Sequence, residues 1–198
     1  MSGAAPEFAA RLHTTPDGRA LRIRRAVPDD AEAVLAYMHE ILSEVTPYIC
    51  TTPEEFTYTV EQERDMLSDQ DAARGDLWLI AESGPRVVGS LNVSRVRRSR
   101  LAHVSLLGMT LRPEFRGVGL GSAMMDALIE WAESHPVTEL LQLEVYADNE
   151  RAQRLYRRVG FTEAGRIPRR MKFGPGHYKD AVMMYRDVRS PDQKRRDA

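Results

Sequence analysis

The sequence holds a single cysteine, Cys50, in 198 residues, so no intramolecular disulfide can form and no thiolate-rich metal site can be built. Nothing beside Cys50 resembles the surroundings of a catalytic thiol, and it reads as a small apolar residue. No His, Asp or Glu spacing suggests a metal site either. No run approaches the roughly 18 consecutive apolar residues of a membrane span. Met1 to Leu12 lacks an apolar core of signal-peptide length. The expectation is a cytoplasmic protein with no membrane partner. A formal net charge of −1 gives no reason to expect a nucleic-acid partner. Internal repeats and low-complexity linkers are absent as well. What remains, 42% hydrophobic and 29% charged residues, is the balance of one globular domain.

Residues 1–18 mix Ala, Thr, Pro and Gly without periodicity and are expected to form a flexible leader, followed by a domain over 19–188 and a solvated tail over 189–198. Leu21 to Arg24 alternates as a strand does. Asp29, with Glu32 three positions on, fits the N-cap of a helix whose apolar face is Ala31, Val34, Leu35, Met38 and Leu42. Thr46 to Phe56 reads as a loop, in which Pro53 opens a second helix running through Val60, Met66 and Leu67. Strands follow at Trp78–Ala81, Val87–Val96 and His103–Leu111, the last interrupted by Gly108 as at a bulge or a close backbone approach. Met125, Leu128, Ile129 and Ala132 mark one helix, and Ala152, Leu155, Tyr156 and Val159 another that Gly160 ends. Between them Leu141, Leu143 and Val145 alternate, and two last strands fall at Gly160–Ile167 and Tyr178–Tyr185.

The segment Arg116-Gly117-Val118-Gly119-Leu120-Gly121-Ser122 sits directly after a strand and at the mouth of a helix. Glycines without side chains let backbone N–H groups converge on an anion, and the helix N-terminus adds its positive end. Arg116 contributes a full charge, so a pyrophosphate fits. A P-loop would need Gly-Lys-Ser/Thr, which is absent, and a dinucleotide fingerprint would need glycine where Ser122 stands. A glycine-rich turn without a ligand stays open on the glycines alone.

Two blocks together extend this reading. Arg116-x-x-Gly119-x-Gly121 resembles the Q/R-x-x-G-x-G/A signature of the GNAT superfamily of acyl-CoA-dependent N-acyltransferases. Asn149-x-x-Ala152-x-x-Leu155-Tyr156-x-x-x-Gly160-Phe161 resembles that superfamily's segment beside the cofactor thiol. The resemblance spans Leu21 to Val188 and implies an α/β (mixed α+β) fold: a central mixed, splayed sheet of about seven strands flanked by about four helices. More weakly, His103-Val104 and Gly176 to Asp180 resemble a bacterial branch acting on small amines or amino acids.

The resemblance further implies transfer of acetyl from acetyl-CoA to a primary amine by direct attack, with no metal. Arg116, Gly117, Val118, Gly119, Leu120, Gly121 and Ser122 would hold the pyrophosphate. Met109, Thr110 and Leu111 would contact pantetheine and the thioester carbonyl through backbone groups. Asn149 and Ala152 would flank the pantetheine, and Tyr156 would both touch the cofactor and protonate the departing thiolate. Asn149 reads equally as a helix cap, and Tyr156 as a core residue on an apolar stripe. One departure stands out: many relatives carry Glu or Asp about where Leu106 sits. Glu54, Glu55, His103 or a water chain are the remaining candidates for the base. A non-catalytic acyl-CoA sensor is the alternative that this departure favours. The Arg95, Arg97, Arg98 and Arg100 cluster reads first as a solvated turn, and second as a partner for an acidic substrate or the cofactor's 3′-phosphate. Acceptor pockets in the fold come from about Val45 to Val60 and Pro168 to Lys179, which carry no readable code. A homodimer is compatible with the sequence but not encoded in any motif.

Overall fold

The computed structural model describes residues 8–44, 48–70 and 75–189. Residues 1–7 of the expected leader, 45–47 of the expected loop and 190–198 of the expected tail lie outside them. One sheet organises the chain: β1 (Arg11–Thr14), β2 (Ala20–Arg25), β3 (Leu77–Ser83), β4 (Arg86–Arg95), β5 (Val104–Leu111), β6 (Leu140–Tyr146), β7 (Thr162–Gly174) and β8 (His177–Asp187). Their order is β1-β2-β3-β4-β5-β6-β8-β7. All neighbours are antiparallel except β5 and β6.

The helices are α1 (Ala31–Leu42), α2 (Val60–Ser68), α3 (Leu120–Ser134) and α4 (Glu150–Arg158). The mixed architecture and the four helices agree with expectation, while the sheet has one strand more. Alternation along the strands splits the core in two. Leu79, Leu91, Leu141 and Val182 pack with Met124, Leu128 and Tyr156 of α3 and α4. Ile80, of the opposite parity, and Val87, which lies beyond a bulge in the β3–β4 pairing, pack with Val34, Tyr37, Ile41 and Leu67 of α1 and α2. Among the described residues no helix is long and apolar enough to cross a membrane.

Several local expectations are corrected. The extra strand, β1, lies inside the supposed leader and pairs Arg11–Thr14 with Ala20–Ile23. A turn closed by Gly18 N–H to Thr15 O (2.9 Å), with Gly18 at φ +85°, joins the two. Asp29 is not the cap of α1; Asp30 accepts from the Val27 N–H (2.8 Å) and is clasped by Arg24. The second helix opens not at Pro53 but at Thr59, whose hydroxyl accepts from Gln62 N–H while Gln62 Oε1 accepts from Thr59 N–H. The last two strands are longer than expected and absorb 168–174 and 177–179, so that stretch is a hairpin rather than a loop.

Tyr37 crosses between layers: fully buried on α1, its hydroxyl donates to Thr110 Oγ1 of β5 at 2.9 Å. Tyr37→Phe keeps the ring and deletes that bond. The expected cost is about 1 kcal/mol, read as a melting midpoint lower by about 2–4 °C. An unchanged midpoint would show that the bond carries no net stability.

Candidate active site

β5 and β6 run side by side only at their starts, Val104 with Leu140 to Leu106 with Gln142. Beyond that register they part. Leu107–Leu111 form one limb of the fork and Val145–Tyr146 the other, around a cavity of about 1200 Å³. Ligand pockets commonly measure ~300–1,000 Å³, so the space suits two reactants. On the β6-facing side of β5, the peptide groups past Leu106 have no strand partner. An extended ligand carrying amides could pair there as a strand would.

The glycine segment stands at one end of the fork. Gly117 and Gly119 have φ of +81° and +87°, a region costly for residues with a Cβ. Gly119 caps α3 without a side-chain bond. From Gly117 to Ser122 the backbone N–H groups donate to no acceptor among the described residues. They form a run of unspent donors at the positive end of a helix, which is the electrostatic condition for holding phosphate. Gly121 answers to packing instead: a Cβ there would sit 3.1 Å from Leu155 Cδ2.

Met109, Thr110, Leu111, Arg116, Gly117, Gly119, Gly121, Ser122, Asn149, Ala152 and Tyr156 all line the cavity. Val118 and Leu120 do not; Val118 packs against the core and Leu120 is fully buried in it. Arg116 lines the cavity, yet its guanidinium is engaged elsewhere. Nε donates to Leu111 O at 2.8 Å, and the fork of nitrogens grips Glu44, which is 17% exposed. Four residues earlier, buried Arg112 makes the same kind of pair with Glu40 while donating to Val87 O at 2.7 Å. The two arginines thus tie the glycine segment to the end of α1. The cation at the loop is a different one: Arg151 on α4, whose guanidinium lies 3.2 Å from where a Gly117 Cβ would be.

Asn149 serves as the cap of α4, its Oδ1 accepting from Ala152 N–H at 3.1 Å. Its amide nitrogen makes no bond to a described residue, leaving it available to the cavity. Tyr156 is buried, packs 5.9 Å from Phe161 between ring centres, and makes no hydrogen bond to a described residue through its hydroxyl. Burial pushes its phenol up to about 12. The side chain is therefore part of the core and a wall of the cavity at once.

None of the expected bases lines the cavity. Glu54, Glu55 and His103 lie outside it, and Glu55 caps a turn at Thr52 N–H (2.8 Å). Leu106 is half exposed and also outside. Arg95 and Arg97 reach the wall, whereas Arg98 and Arg100 do not. Of the expected acceptor stretches, Tyr48, Ile49, Phe56 and Tyr58 contribute, and the described residues 168–179 contribute none. Among the contributors that escaped sequence reasoning are Arg151, Asn92, and the buried Glu63 of α2. Glu63 carried a legible signal, a carboxylate four residues before Leu67 on the buried stripe of its helix.

Comparison with known proteins follows this geometry. The model of the Acetyltransferase (GNAT) family matches residues 35–161. L-amino acid N-acetyltransferase AaaT of Escherichia coli is 30% identical over 100 residues, half of this chain and 61% of that protein. The match thus spans less than two thirds of that relative. An acetyltransferase of the GNAT family from Streptococcus pneumoniae superposes with a TM-score of 0.79 at 26% identity, covering 84% of this chain and 98% of the other. The yncA protein of Salmonella typhimurium, solved with its cofactor acetyl-CoA, superposes at 0.72 and 21% identity over 85% and 94% of the two chains, a likeness of fold. With a forked sheet, a glycine-opened helix and a family model covering most of the domain, the chain belongs to the GNAT acetyltransferase family.

Proposed function

We propose that the protein transfers the acetyl group of acetyl-CoA to a primary amine by direct attack. The observation that carries this reading is the run of unspent N–H donors from Gly117 to Ser122 opening onto the same cavity as Asn149 and Tyr156. The diphosphate of coenzyme A meets those donors and Arg151, and the pantetheine arm lies along the free edge of β5. Backbone groups of Met109 to Leu111 orient the thioester there. Tyr156 then supplies a proton to the departing thiolate. Its high affinity for that proton keeps it neutral across the physiological range. The same burial raises the basicity of a thiolate formed beside it, which narrows the gap between donor and acceptor. The relatives' names support amine acceptors, an amino acid in the case of AaaT.

The test is release of free coenzyme A thiol from acetyl-CoA in the presence of amino acids, alkyl and aryl amines, and peptides with free N-termini. Turnover with at least one class is the expected result. Binding of acetyl-CoA without turnover on any of them would replace the enzyme with an acyl-CoA sensor, the reading that the absent carboxylate at Leu106 favours.

A further inference from the structure

The cavity continues past the fork to a second end, under α1 and α2, where its wall includes Met38, Phe56, Met66 and Trp78. In this largely apolar surface stands one buried carboxylate. Glu63 is 2% exposed and lines the cavity, and among the described residues it has no hydrogen bond or ion pair through its side chain. The other ionic groups lining this part of the cavity are accounted for or lie toward its rim. Asp76 accepts from Arg95 N–H at 2.9 Å, Glu44 is held by Arg116, Asp69 is exposed, and the guanidinium groups of Arg95 and Arg97, which also reach the wall, form no ion pair with Glu63. Burial alone pushes the Glu63 carboxyl above the usual carboxylate range.

An unpaired carboxylate inside a protein costs several kcal/mol unless a cation or a proton satisfies it. Helix stability gives it no purpose, because its position on the α2 stripe with Leu67 would suit an apolar side chain. The indole N–H of Trp78 is already donated to Ser90 Oγ at 2.9 Å, so its ring is what remains to offer a ligand, and ring faces attract cations. Asn92, paired across the sheet with Gly108 of the fork, lines the same cavity as Glu63. A Cβ at Gly108 would come within 3.1 Å of Asn92 Oδ1, so the bare glycine keeps this part of the wall low.

We propose that Glu63 is the counter-ion and proton acceptor for the incoming amine, and that the acceptor is a primary ammonium carried on an apolar body. This rests on the acetyl-transfer reading above. In the step it implies, the ammonium gives one proton to the Glu63 carboxylate and the freed lone pair attacks the thioester carbon. As the C–S bond breaks, the thiolate takes the Tyr156 proton, and the second proton lost from nitrogen refills Tyr156. Glu63 returns its own proton to solvent. Ammonium and thioester thus become amide, thiol and one free proton.

The experiment compares phenethylamine, tyramine and hexylamine with phenylethanol, tyrosol and hexanol as ligands of the whole protein by calorimetry, alone and with coenzyme A present. Thiol release is then measured for the amines with acetyl-CoA. The wild type is expected to prefer each amine to its alcohol at least tenfold. Glu63→Gln, nearly identical in shape, is expected to erase that preference, to lower turnover about 10²-fold, and to leave acetyl-CoA affinity unchanged. Glu63→Asp, which keeps the charge, should keep much of the preference, and melting curves establish that both variants fold. Equal binding of amines and alcohols by the wild type overturns the proposal. So does a Glu63→Gln protein that binds and acetylates amines as the wild type does. Should acetyl-CoA bind neither protein, the acetyl-transfer reading fails, and the amine–alcohol comparison still decides whether Glu63 forms an ammonium site.

Discussion

Gly119→Val is expected to weaken acetyl-CoA binding by at least a factor of about 10², with the fold retained. Gly119 has φ +87°, and a β-branched residue held there is strained by about 1–3 kcal/mol, a strain it relieves by rotating the peptide. The new Cβ would touch the ring of His13 on β1 at an ordinary contact distance of 3.4 Å, so the strain is one of backbone conformation rather than of space. Its relief swings the N–H groups on both sides of the residue away from their common focus. Each hydrogen bond to a charged group is worth about 1.5–3 kcal/mol, and losing two of them accounts for the predicted factor. Calorimetric titration with acetyl-CoA measures it, beside a melting curve to establish folding. An affinity equal to that of the wild type would mean that the diphosphate lies elsewhere.

Tyr156→Phe should lower the rate of thiol release by about 10²–10³ while leaving KM for acetyl-CoA nearly unchanged. The substitution keeps the ring against Phe161 and removes only a hydroxyl that bonds no described residue, so no partner is orphaned. Stability should therefore be unchanged within about 0.5 kcal/mol. This separates the acid from the core residue, since a purely structural tyrosine would leave kcat untouched. The proton-donating form is the neutral phenol, which is lost only as pH rises through its pKa. With that value pushed up to about 12, Tyr156 imposes no falling alkaline limb below about pH 11. A steep loss of kcat between pH 8 and 9, traced to this residue, would contradict the assignment.

The features that were legible in the sequence are those governed by local chemistry. Glycines beside a helix start announce a left-handed turn because few other residues tolerate φ near +85° there. The α4 segment was equally readable, since Asn149 and the Ala152–Leu155–Tyr156 stripe specify cap and face together. β1 escaped for the opposite reason: its four residues do not form a clear alternation, with Leu12 86% exposed. Its clue is Asp17-Gly18, a hairpin signal that is weak between such short segments. At α2, Pro53 suggests an earlier start, but the reciprocal Thr59–Gln62 cap sets it, satisfying two orphan donors where proline merely removes one. The sequence did not show that the guanidinium of Arg116 turns to Glu44 while that of Arg151 comes beside Gly117, because both placements depend on contacts distant in sequence. The spacing of Glu63 and Leu67 puts the two on one helix face, but only the layer of α1 and α2 over the sheet makes that face interior.

Unpaired strand edges are ordinarily a hazard at a protein's periphery, where they invite another chain and lead to aggregation. In this molecule β7, one of the two edge strands, carries Glu163, Arg166, Arg169, Arg170 and Lys172, a charged fringe that discourages such docking. The hydrogen-bonding edge kept for use is instead recessed in the cleft between β5 and β6. Neighbouring strands sit about 4.8 Å apart, so a slit opened by their divergence admits a slim unbranched chain more readily than a folded segment. The sheet thereby keeps its adhesive chemistry while filtering by thickness what can reach it.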